Sequence, residues 1–128
     1  VLDYGEDPIV ALRLVADSQR VAIWTRSRRL VVLDMKTKVE LFSGTMLTPA
    51  NMLSIRSTDD IPISEDGSTI AIADREFIQL WKWDGKTYVK QNSPLRHATY
   101  NSTWRQVCLS RNGETLAALN QSNEVAIW

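Results

Sequence analysis

Cysteine is nearly missing from this 128-residue chain: Cys108 stands alone, so no internal disulfide can staple the fold. It lies in the alternating run Val107-Cys108-Leu109-Ser110, which points to a buried structural thiol. Histidine is as scarce. His97 is the sole one, so a Ser-His-Asp triad or a Cys-His pair would have to be built around it, and neither carries a motif. Gly-rich phosphate loops, paired histidines, Cys-x-x-Cys and EF-hand spacings are all missing. Metal and nucleotide chemistry are left without support, so the chain reads as non-enzymatic and no cofactor is expected. An excess of one charge is missing too. Fifteen basic residues balance fifteen acidic ones, which removes the global field that recruits nucleic acid or an anionic membrane. No apolar run approaches the ~18 residues that cross a bilayer, and no secretory leader pattern occurs. A membrane partner is therefore not expected, nucleic acid is disfavoured, and an intracellular setting, cytoplasmic or nuclear, is the expectation.

What is present is short-period alternation. In Ile61–Lys90, Ile61 and Ile63 alternate with polar neighbours, Asp66-Gly67 makes a turn, and Ile70-Ala71-Ile72-Ala73 makes the next strand. A polar break at Asp74-Arg75-Glu76 precedes a third strand over Phe77–Trp83. Asp84-Gly85 then predicts a two-residue type I′ hairpin, returning Tyr88-Val89-Lys90 antiparallel. The segment is a four-stranded meander.

The meander repeats. Asp17-Ser18, Asp66-Gly67 and Asn112-Gly113 are turns spaced 49 and 46 residues apart. Leu14, Ile63 and Leu109 precede them; Val21, Ile70 and Leu116 follow, and Ala22, Ala71 and Ala117 come one place later. A small residue at that place suits close packing of adjacent sheets. The third strand repeats as Val31 and Leu33, Ile78 and Leu80, Val125 and Ile127. The units span approximately 9–42, 60–91 and 105–128, and residues 1–4 supply a further strand. A four-stranded sheet with two apolar faces must stack on neighbours to bury them.

The runs SEDGSTIAIADREFIQLWKW and LSRNGETLAALNQSNEVAIW resemble blades of the WD40-type β-propeller family. The Gly-His pair that opens a typical repeat is absent, and a Trp-Asp pair occurs only as Trp83-Asp84, so the family's Asp-His-Ser/Thr-Trp network has no counterpart at these positions. The resemblance implies an all-β fold: a propeller portion of three four-stranded antiparallel blades, with the N-terminal strand as outer strand of the last blade. Further blades would come from the same parent chain or from a second copy of this one. A first residue other than Met favours the parent chain.

The resemblance also places the connections from fourth to first strand, and from second to third, on one face. The long ones run from Ser43 to Asp59 and from Asn92 to Trp104, and long loops on a rigid scaffold are where binding residues gather. That face would hold Arg26, Arg28 and Arg29 from one turn, Arg75 from its counterpart, and Arg96, His97, Tyr100 and Trp104 from the long loop. Two readings stand: solvated arginines with Trp104 covering the core, or a patch that binds another protein. Two wider alternatives accompany the interaction scaffold: the propeller domain of a larger enzyme such as a peptidase, and a ribonucleoprotein scaffold using basic loops. Thr48-Pro49 could cap a short helix, and Asn101-Ser102-Thr103 and Asn120-Gln121-Ser122 match the glycosylation sequon.

Overall fold

The computed structural model describes residues 3–47, 61–96 and 103–128. Among them every regular element is a strand. β1 (Ile9–Val15), β2 (Arg20–Thr25), β3 (Arg29–Asp34) and β4 (Glu40–Thr45) form the first sheet in that order. The second contains β5 (Thr69–Asp74), β6 (Phe77–Trp83), β7 (Tyr88–Lys90) and β8 (Leu95–Arg96); the third contains β9 (Trp104–Leu109), β10 (Leu116–Asn120) and β11 (Val125–Ile127). All strand pairs are antiparallel. No helix among the described residues is long and apolar enough to cross a membrane.

The repeat seen in the sequence is the register of the sheets. Leu14 pairs with Val21, Ile63 with Ile70, and Leu109 with Leu116. The third strand aligns one residue differently in the first unit, because Ala22 faces Val32 where Ala71 faces Leu80 and Ala117 faces Ile127. The first strand of the middle unit shortens to a single bridge at Ile63, although Ile61 and Ile63 are both buried. Its outer strand runs on past residue 91. Lys90 pairs with Trp81 and Leu95 with Ile78, so two extra residues bulge between β7 and β8, where Pro94 lacks an N–H to continue the ladder.

The turns explain the spacing. Gly67 N donates to Ser64 O and Gly113 N to Ser110 O, while Asp66 Oδ1 and Asn112 Oδ1 accept from the N–H groups of Ser68 and Glu114. Both glycines have φ near +70°, and a Cβ on Gly113 would sit 2.4 Å from Thr69 Oγ1. The first unit lacks that glycine, so Ala16, Asp17 and Ser18 all take positive φ. The Asp84-Gly85 hairpin differs from expectation. Gly85 has positive φ and Asp84 does not; the loop has four residues, with Asp84 N donating to Thr87 O and Asp84 Oδ1 accepting from the N–H groups of Lys86 and Thr87. A side-chain acceptor has replaced the type I′ backbone.

Alternation puts Ala22, Trp24, Leu30 and Val32 in the main core, which continues through Ile63, Ile70, Ile72, Ile78, Val107, Leu116 and Ala118. Ile23, Val31 and Leu33 lie on the other face of the first sheet with Tyr4 and Val21 against them. The expected outer strand over residues 1–4 lies partly outside the described residues; Asp3 and Tyr4 lead into a turn at Gly5-Glu6, with Asp7 N donating to Tyr4 O, and the third sheet has three strands among the described residues. Cys108 is exposed, not buried, because it points away from Val107 to a sheet face that no described residue covers. The suggested helix cap at Thr48-Pro49 lies outside the described residues.

Candidate interaction face

One end of the stack is built from repeated clasps. Each turn between second and third strands donates a backbone N–H to the incoming connection: Arg26 N to Pro8 O at 2.8 Å, Arg75 N to Leu47 O at 3.3 Å, and Gln121 N to Thr103 O at 3.2 Å. Neighbouring blades are tied at the same end, since Trp104 N donates to Arg75 O at 3.0 Å. The expected clustering of these two kinds of connection on one face is therefore present, on a rigid frame.

Arg26 and Arg75 are exposed on that frame and Arg28 is partly buried. Burial lowers the Arg28 pKa from its ordinary value. The turn beneath is fixed by Asp7, whose Oδ1 accepts from Ser27 N at 3.0 Å and whose Oδ2 accepts from Ser27 Oγ at 2.6 Å. Burial works to raise the Asp7 pKa, but hydrogen bonds from Ser27 and Thr25 outweigh it and hold the carboxyl below its usual range. Arg28 and Arg75 have φ of 65° and 55°, the left-handed region, where the third blade has Asn123 at 63°. Asn is among the few residues that visit this region readily; an arginine pays an avoidable steric cost there.

The remaining expected residues divide. Arg29 begins β3 and its Nε donates to Ser43 Oγ at 2.8 Å. Arg96 lies on the outer strand, 3.9 Å from Glu76 and with its guanidinium 5.4 Å from the Phe77 ring centre. Trp104 is 2% exposed and belongs to β9; its Nε1 donates to Glu76 O, so it covers the core and presents no ring to a partner. His97 and Tyr100 lie outside the described residues. Arg105, which the sequence reading passed over, reaches Asn123 Oδ1 at 3.4 Å and thus belongs to this end. Its signal was positional: it is the second residue of the third unit's first strand, directly after Trp104. The Asn120 sequon is structural, since Asn120 is buried and its Oδ1 accepts from the N–H groups of Ser122 and Glu124.

A second polar cluster sits at the opposite end. Arg20 is buried, with its guanidinium 4.0 Å over the Trp83 ring; Nη1 donates to Tyr88 Oη at 2.8 Å and to Gly67 O at 3.3 Å. Tyr88 in turn donates to Gly67 O at 2.7 Å, and burial pushes its pKa up to about 12 against the opposing pull of Arg20. Thr69 occupies the matching place in the second unit, so an arginine there is specific to the first. It ties two blades together and faces no solvent, which marks it as a packing device.

Stacked antiparallel meanders with a repeated clasp at one end define a portion of a β-propeller. Solved structures that resemble it include a β-propeller domain and a WD40 domain. The β-propeller domain of Cps50 (Swd1) from Myceliophteria thermophila matches 96% of this chain with a TM-score of 0.59 at 18% identity, and the C-terminal WD40 domain of Sif2 matches 98% with 0.61 at 12%. The chain spans 40% and 35% of the length of those two. No family model matches, and no curated protein matches by sequence. The likeness is one of fold.

Proposed function

We propose that this chain is part of a non-enzymatic interaction scaffold whose clasped loop face binds an acidic, extended segment of another protein. The observation that carries this reading is the backbone of Arg28 and Arg75. Left-handed φ costs a bulky residue on the order of 1 kcal/mol or more, and strain of that kind collects at functional sites. Arg26 and Arg75, both exposed, and Arg28, which stands in the same turn as Arg26, form the working set, and Trp104 is left out because it is buried. The fold resemblance is compatible with this role and does not assign it.

The test is a titration with a fluorescent Asp/Glu-rich peptide and, separately, with single-stranded RNA at two salt concentrations. Arg28→Glu with Arg75→Glu should weaken peptide binding by roughly tenfold or more, equivalent to about 1.4 kcal/mol, while the circular dichroism spectrum is unchanged. RNA bound more tightly than peptide, with a steep salt slope, would move the reading to a ribonucleoprotein scaffold. Peptide affinity indifferent to both arginines would remove this face as the site.

A further inference from the structure

At the rim, the first two blades are tied where Leu47 N donates to Ala73 O at 3.0 Å and where Phe42 meets Trp81 edge to face at 5.0 Å, and between these two contacts the sheets stand apart. β4 is the last strand of its sheet, with no neighbour on its outer side among the described strands, and the bulge between β7 and β8 holds the outer margin of the second sheet apart. The result is an open wedge of about 360 Å³, the size of a small ligand site. Gly44 and Leu47 form one wall; Ile72, Phe77 and Trp81 form the other, with Pro94 at the lip. Gln79 lies between Phe77 and Trp81 but is tied down, its Nε2 donating to Gln91 O at 2.7 Å and to Leu80 O at 3.2 Å. The floor is therefore apolar with a committed amide.

The two ends of the wedge carry opposite charge. Asp74 pairs across the ladder with Phe77, and Lys90 pairs with Trp81. Phe77 and Trp81 lie on one face of β6, four residues or roughly 13 Å of strand apart. Both charged residues are exposed, and neither has an ion pair among the described residues; Arg96, the nearby cation, is held by Glu76. A strand places residues i, i+2 and i+4 on one side at this same spacing.

We propose that this wedge is a second binding site, which takes an extended peptide bearing a basic residue, an apolar residue two places on, and an acidic residue two places further. The basic side chain meets Asp74, the apolar one enters between Leu47 and Trp81, and the acidic one meets Lys90. The edge of β4, unpaired among the described strands, favours an extended backbone, whose amides it can pair.

The experiment uses the blocked peptide Ser-Lys-Thr-Leu-Thr-Glu-Ser and the ¹⁵N-labelled 128-residue chain, followed by amide shifts. Shifts centred on Gly44, Ile72, Gln79 and Trp81 are expected, with saturation lost on replacing the central Leu by Ser. The doubly reversed variant Asp74→Lys with Lys90→Glu should bind this peptide roughly tenfold more weakly and prefer the peptide with Lys and Glu exchanged. Its own amide spectrum away from the two sites checks that it folds. Absence of shifts at millimolar peptide, shifts confined to the clasped loop face, or a double variant that keeps the original preference would each overturn the proposal. Arg26→Glu, in the first blade's turn and outside the wedge lining, should leave this titration unchanged, which separates it from the loop-face reading.

Discussion

Single residues show where alternation informs and where it stops. Alternation assigned Val107 and Cys108 to opposite faces, but which face is covered depends on what stacks there, and the thiol turned out to be exposed. Trp104 shows the converse: an aromatic in an apparent loop was already the first residue of β9. Arg20 was invisible as a packing residue because its partners Gly67, Trp83 and Tyr88 are 47 to 68 positions away. Its neighbour gives a measurable consequence. Tyr88 has its folded pKa raised from 10.0 to about 12, so its stabilising contribution is complete below pH 10 and is lost as pH rises through that window. Ultraviolet titration of tyrosine ionisation should show a last step near 12 that Tyr88→Phe removes. A last step at the ordinary value would mean that Tyr88 is not buried against Arg20.

At the scale of elements, the turns carry most of the legible signal. Asp66-Gly67 and Asn112-Gly113 were readable because their side chains and glycines act within four residues. The first unit departs from them, and Ser18 at φ 66° stands where the others have glycine. Ser18→Gly should raise stability by ~1 kcal/mol, measured by denaturant midpoint, whereas Gly67→Ala should lower it. The two hairpins after third strands share Asp-x-Lys-Thr: Asp34 and Asp84 each accept N–H bonds from the Lys and Thr that follow. In both, the bond from the Thr N–H is the main cause holding the pKa below 3.8. A depressed folded pKa stabilises above the unfolded value and is lost as pH falls through the folded one, so these turns should weaken below about pH 4. In Asp34→Asn with Asp84→Asn, the melting temperature should fall less steeply below that pH than in the parent. β8 was not legible, because Pro94 interrupts the pattern that pairing with β6 then resumes.

For the whole molecule, the repeat was legible from its spacing, and so was the need to stack; what stacks beyond the described blades was not. Leu12 and Leu14 on the first sheet are 54% and 50% exposed, and Val125 and Ile127 on the third are 63% and 71% exposed. These faces should bind an environment-sensitive apolar dye, and Val125→Lys with Ile127→Glu should reduce that signal and any self-association seen by light scattering. The three aligned alanines should separate accordingly. Ala22 and Ala71 are fully buried in the core, so Leu at either should cost about 1–3 kcal/mol, whereas Ala117 is only half-buried and should tolerate Leu far better. Equal costs at Ala71 and Ala117 would contradict the packing order. Trp128, which closes the third sheet through paired bonds with Leu116, also meets Trp104 edge to face at 5.5 Å. Two indoles held so close share their electronic excitation, so the pair should give the chain a dichroic couplet in the ultraviolet that no strand produces. Trp128→Phe should abolish it, and because both indoles belong to the third sheet, its decay on heating would time the unfolding of that blade itself separately from the melting of the rest.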